Sequence, residues 1–198
     1  MEKNYNGYQP DNWNSIVEKY AGNADKYKLV ECDGVWITEN ELCRIESLHN
    51  KVLERLCFTL LCLAKFGNFK NPDNHNWVAE SGSEIYRLAN ISASAFDREL
   101  KINALRELGL IAFAKRVDNL KIQVMYIDEN SENKLFIKDF RALGNEYLLY
   151  KGESCLKCSN CGLLIKRKSN RQKYCKECSE KIQLKRQRDA MNKLRKLS

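Results

Sequence analysis

Two Cys-x-x-Cys pairs near the end of the sequence constrain this chain more than any other feature. Cys158-Ser-Asn-Cys161 and Cys175-Lys-Glu-Cys178 flank a basic loop. Such pairs can close around one metal ion, because each tight turn offers it two sulfurs. Four thiolates in a tetrahedron suit zinc and leave it no open position, so one structural Zn2+ is expected. Gly162, directly after Cys161, relieves crowding where the chain folds back beneath the metal. Cys158, Cys161, Cys175 and Cys178 are therefore the expected ligands. One alternative stays open: Cys155 and Cys158 also form a Cys-x-x-Cys, so Cys155 could replace Cys161.

On these residues, about 155–180, the chain resembles the zinc ribbons of many nucleic-acid-handling proteins, in which two cysteine knuckles face each other on short β-hairpins. The resemblance implies a structure before a job. A ribbon has almost no core of its own, so the main hydrophobic core is expected upstream. Residues 181–198 should form a basic helical tail, with Ile182, Met191 and Leu194 as a thin apolar line among Lys and Arg.

The chain has 198 residues, enough for one ordinary domain and a small one, and its net charge of +8 is unevenly spread. From Lys151 onward there are 15 Lys and Arg against 4 Asp and Glu; the first 150 residues hold 19 basic and 22 acidic ones. A polycationic tail on a faintly acidic body points to phosphates, which attract clustered Lys and Arg by releasing condensed counterions. The nominated contacts are Lys166, Arg167, Lys168, Arg171 and Lys173 in the basic loop, and Lys185, Arg186 and Arg188 beyond it. The opening residues Met1 to Asp11 are polar, and the longest apolar run, Leu56 to Ala64, is far short of the ~20 residues that span a bilayer. No membrane partner and a reducing, cytoplasmic setting are expected.

Upstream, residues 1–40 read as an arm, one short helix and a β-hairpin. Trp13, Ile16, Val17 and Tyr20 recur at helical spacing, with Asp11 or Asn12 as cap and Gly22 as stop. Asp33-Gly34 between Tyr27–Val30 and Val35–Ile37 suits a tight hairpin. Thr38 and Glu41 are spaced as a capping box, and one long core helix is expected from about Glu41 to Phe66. Cys57 and Cys62 inside it are packed thiols rather than ligands, and Cys32 and Cys43 are isolated. The only histidines, His49 and His75, give no support to a His-based site. After a loop with Pro72 come a short helix at Ser81–Ala89, a turn at Asn90–Ser92, a helix from about Ser94 to Leu108 stopped by Gly109, and strands at Leu110–Lys115 and Leu120–Tyr126 around Arg116–Asn119. Asp128 to Asn133 opens an acidic linker assigned to 128–154, within which Leu135–Leu143 is a further strand or short helix and Glu146–Tyr150 a strand.

The stretch Ile91-Ser-Ala-Ser-Ala-Phe96-Asp-Arg98-Glu-Leu100 through Leu108-Gly109-Leu-Ile111 resembles the recognition-helix-to-wing segment of bacterial winged-helix proteins. That resemblance covers about residues 42–127, and the winged-helix domain is assigned to 41–127. It implies an α+β fold, a winged-helix domain followed by the ribbon. It also implies Ser92, Ser94, Asp97, Arg98 and Lys101 near bases and Lys115, Arg116 and Lys121 of the wing near phosphates. The two-module layout resembles small regulatory or replication-associated proteins of bacterial phages and mobile elements, which implies a bacterial cell or the host cell of a phage as the setting.

There is no Gly-rich phosphate loop, nucleophile motif or paired-carboxylate constellation, so a non-enzymatic nucleic-acid-binding regulator is expected, with DNA favoured over RNA. The alternative is a phage-type interaction protein that modulates a polymerase or a CRISPR-type nuclease complex. A homodimer, joined through the N-terminal helix, is compatible with either.

Overall fold

The computed structural model describes residues 10–24, 32–114 and 121–195, and the chain divides into two units, Met1–Cys32 and Asp33–Ser198. In the first, α1 spans Pro10–Ala24. Proline opens it where a missing N–H costs nothing, and the helix runs through Gly22 rather than stopping there. Trp13, Ile16, Val17 and Tyr20, at helical spacing, are all exposed.

The second unit is mixed α+β and is built around α3 (Lys51–Lys70). Nine consecutive residues of α3, Leu56 to Ala64, are buried. A helix apolar all round must be covered on every side. It packs against α2 (Glu39–Glu46), α4 (Gly82–Leu88), α5 (Ala95–Glu107) and α6 (Leu143–Tyr150), and against strands β1 (Val35–Thr38), β2 (Trp77–Val78) and β4 (Ile122–Val124). The expected single helix over 41–66 is two. Ser47–Asn50 breaks it, His49 adopts φ 48°, and the Asn50 side chain caps α3 by accepting from the Val52 and Leu53 N–H groups. Glu41 makes its half of the capping box, accepting from the Thr38 N–H at 2.8 Å. Cys57 is a packed thiol, as expected. Burial pushes it up to about 12, and the Tyr126 hydroxyl lies 2.9 Å away.

Three strands form one small sheet in the order β2-β4-β3, with β3 at Ile111–Phe113 antiparallel to β4. β2 lies just past the loop with Pro72, in a stretch to which the sequence assigned no element. The helix pair α4 and α5 precedes β3, and Gly109 turns the chain at φ 69°. The tip of the β3–β4 connection, residues 115–120, lies outside the described residues, and with it Lys115 and Arg116.

Val35–Thr38 pairs antiparallel with β5 (Asn133–Ile137), Trp36 opposite Phe136, a pairing the sequence did not suggest; Tyr27–Val30, its expected hairpin partner, lies outside the described residues. One sequence expectation is corrected. The 128–154 stretch is not a bare linker. It carries β5 and then α6, a helix where Glu146–Tyr150 suggested a strand, because Leu143, Tyr147 and Leu148 share one buried helix face. A short apolar run is ambiguous until its partner is known, and here the partner is α3.

At Gly144 the α6 backbone meets the end of α4 so closely that a Cβ would lie 2.0 Å from the Ala89 carbonyl oxygen. Gly144→Ala should therefore cost about 3 kcal/mol by forcing two backbones apart. A chemical-denaturation midpoint lowered at unchanged slope checks this.

Candidate metal centre and basic surface

The C-terminal part of the second unit is a hairpin followed by a helix. β6 (Cys155–Lys157) pairs with β7 (Leu164–Lys166), and the turn between them carries Cys158 and Cys161. Within it the Cys158 N–H donates to the Leu163 carbonyl and the Gly162 N–H to the Cys158 carbonyl, both at 2.9 Å. Gly162 sits at φ 73°, the left-handed conformation that glycine adopts without strain. Cys175 directly precedes α7 (Lys176–Arg195), and Cys178 lies in its first turn. The second pair is therefore not on a hairpin, which corrects the picture of two facing ribbon knuckles. The start of a helix substitutes, because its unpaired N–H groups favour thiolate.

The ligand atoms of Cys158, Cys161, Cys175 and Cys178 all lie within 4.8 Å of one another and could hold a metal ion. Thiolates about 2.3 Å from one tetrahedral ion stand about 3.8 Å apart; Cys161 Sγ and Cys175 Sγ are separated by 3.8 Å. Around them, the Cys175 N–H donates to Cys158 Sγ at 3.3 Å, the Asn160 amide to Cys178 Sγ at 3.3 Å and the Cys178 N–H to Cys175 Sγ at 3.5 Å. Burial works against the Cys158 thiolate, but the N–H groups of Cys175, Cys161 and Asn160 outweigh it and bring the thiol down to about 6. Burial pushes Cys175 up to about 12. A bound cation is what lets crowded thiols ionise together. Cys155 stands outside the cluster, half-buried, with its Sγ 3.8 Å from the Asn145 carbonyl. The group that could hold an ion thus includes Cys161 and leaves out Cys155.

The cluster is tied to the α3 core through side chains that the sequence did not single out. The Asn145 amide donates to the Leu164 carbonyl at 2.9 Å and its oxygen accepts from the Asn90 side chain at 2.9 Å. Arg141, chelated by Asp139, donates to the Cys161 carbonyl at 3.1 Å. The Arg141 guanidinium holds the Asp139 carboxyl below the usual carboxylate range. Glu153 pairs with both Lys166 and Lys51. No spacing rule announces such contacts; a buried asparagine shows its worth only when its partners are in place.

Of the nominated basic residues, Lys166 on β7 and Arg167, Lys168, Arg171 and Lys173 in the loop before α7 are all exposed, as are Lys185, Arg186 and Arg188 on α7. The loop is held in shape by the Ser159 N–H donating to the Lys173 carbonyl and by Gln172 accepting from the Lys168 N–H. From 176 to 192, only Cys178 and Ile182 are less than exposed. The α5 residues are differently placed. Ser94 is the N-cap of α5, accepting from the Asp97 N–H and donating to its carboxylate. Arg98 is half-buried over the Tyr86 ring, its Nε donating to the Ala93 carbonyl, and Lys101 donates to the Asp97 carbonyl. Lys121 is exposed beside β4. The large apolar side chains exposed on α5 are Phe96 and Leu100, with Leu108 exposed just past its end and Met125 beyond β4.

In comparisons with known proteins, no family model, no curated protein and no solved structure matches this chain. Among the described residues no helix is long and apolar enough to cross a membrane.

Proposed function

We propose that this chain is a non-enzymatic nucleic-acid-binding protein in which one structural zinc ion, held by Cys158, Cys161, Cys175 and Cys178, clips a basic loop and helix α7 to the folded body. The observation that carries this reading is the exposure of the eight nominated Lys and Arg side chains between Lys166 and Arg188, on and beside a helix that starts at the cysteine cluster. α7 has 20 residues; at 1.5 Å per residue that is about 30 Å, close to one turn of duplex. Few aromatic rings interleave the basic residues, so phosphates rather than unstacked bases are the natural target, and duplex DNA is favoured. Four-sulfur zinc is closed to substrate, so its part is structural.

The body is read as a winged helix. The order α3, β2, α4, α5, β3, β4, with β4 between the other two strands, supports this. A second use of the body is favoured by α5 itself. Its exposed face holds Phe96 and Leu100 beside Asp97 and Glu99, which suits a protein partner better than a major groove. On that reading the chain docks on a nucleic-acid-processing complex through α5 and grips nucleic acid through α7.

Changing Lys185, Arg186 and Arg188 together to Gln should weaken binding of the zinc-loaded protein to unrelated duplexes by similar factors. It should also make the slope of log K against log salt shallower by up to about 3, since each phosphate contact adds about 0.9. Fluorescence anisotropy at several salt concentrations measures both. An unchanged slope would remove α7 from the interface, and absence of binding without a protein partner would favour docking through α5.

A further inference from the structure

Away from the metal centre, a cleft of about 380 Å³ opens between β1 and the C-terminal part of α3, lined by Trp36, Lys65, Asn68, Phe69, Glu129 and Asn133 among others. Its aromatic walls are unusually open. Trp36 is 49% exposed and Phe69 46%. Phe136 supports the indole, with ring centroids 4.7 Å apart. Gly34 keeps the backbone beside this pair; at φ 150° it lies so near that an added Cβ would stand 2.8 Å from the Phe136 ring and 2.3 Å from the Ile137 carbonyl oxygen.

The charges around the cleft select what it can hold. Its cation, Lys65, is already spent: Nζ lies 2.8 Å from Glu41 Oε1 and donates to the Trp36 carbonyl at 2.8 Å. Lys134 pairs with Glu39, and Lys138 lies over the Phe136 ring at 5.7 Å. Glu129, by contrast, lines the cleft with an exposed carboxylate that has no ion-pair partner among the described residues. Next to it the Asp128 carboxyl is held below its ordinary range, first by the Asn40 amide. The acidic loop that carries both is fastened to the body: the Thr38 hydroxyl donates to the Asp128 carbonyl, the Asp128 N–H to Glu41 and the Glu39 N–H to the Glu132 carbonyl. Two open rings lining the same cleft as an unpaired carboxylate on a fastened loop make a receptor for a cation with a flat face. A polyanion would meet Asp128 and Glu129 instead.

We infer that this cleft binds an arginine side chain presented by a protein partner, its guanidinium stacked against Trp36 and Phe69 and paired with Glu129. A guanidinium satisfies both demands at once, stacking through its plane and donating a fork of N–H groups in that plane. The site is independent of α7, so it stands or falls separately from nucleic-acid binding.

The test uses the full-length, metal-loaded protein. The chain has three tryptophans, so a proton–nitrogen correlation spectrum carries three indole signals, and Trp36→Phe assigns the one that matters. A capped Gly-Arg-Gly peptide should shift the Trp36 indole saturably, and the same peptide with neutral citrulline in place of arginine should bind at least about ten-fold more weakly. Glu129→Gln, which leaves the rest of the spectrum in place, should bring the arginine peptide to the citrulline level. Equal response to arginine and citrulline, or no response to either, overturns the proposal. So does a Trp36 shift produced by oligothymidylate but not by the arginine peptide, which would make the rings a stacking platform for bases.

Discussion

Cys178→Ser is expected to take the metal content of the protein from one ion per chain to none, read by elemental analysis after dialysis. Three sulfurs and a hydroxyl are a poor tetrahedral set for zinc, and Cys178 is the ligand embedded in the first turn of α7. Structural zinc in small finger peptides is worth about 10–16 kcal/mol of apparent binding energy at neutral pH, so the loss is a loss of folding. The amides of the β6–β7 hairpin and the first turns of α7 should lose protection from hydrogen exchange together. The effect should also reach α6, because a loosened β7 takes the Leu164 carbonyl away from the buried Asn145 amide. Cys155→Ser is the control: outside the cluster, it should leave one ion per chain. An ion retained by Cys178→Ser and lost by Cys155→Ser would move the site to a set of sulfurs that includes Cys155.

The second large effect concerns the body. Lys65→Met should destabilise the protein by about 3–5 kcal/mol, the range seen when one partner of a buried ion pair is removed and the other left charged. Glu41 is fully buried and accepts from the Thr38 and Asp128 N–H groups as well as from Lys65, so it holds β1, α2, α3 and the acidic loop at one point. Methionine keeps the volume and removes the charge. Replacing both Glu41 and Lys65 by Met should recover much of the loss, because two well-packed apolar side chains do not need each other's charge. Urea unfolding followed by circular dichroism reads both, and a single variant as stable as the parent would mean that Glu41 is not held by this pair.

The cysteine spacing and the charge asymmetry were legible from the residues alone, because a Cys-x-x-Cys turn and a run of Lys and Arg are local. So were α4 and α5, whose caps at Ser81 and Ser94 and stop at Gly109 lie within a turn of the helices they end. What the residues concealed is non-local. Val35–Ile37 alternates and follows Asp33-Gly34 as a hairpin strand should, and nothing local announces the partner it has a hundred residues on, at Asn133–Ile137. Glu146–Tyr150 is a helix because α3 offers it a face. The break at His49 depends on a left-handed residue that is not glycine, and Arg98 turns inward onto a ring that only the packed fold brings near. The Asn90–Asn145–Leu164 chain joins three such distant segments.

The central claim, a zinc-clipped basic helix delivered to phosphates, is tested most directly by the salt dependence of duplex-DNA binding by the zinc-loaded protein. Eight phosphate contacts would give a slope of log K against log salt of about −7, and half that number about −4. A slope in that range is expected, with a much weaker affinity once a chelator has removed the metal. Binding that ignores salt, or that survives removal of the metal unchanged, would contradict it.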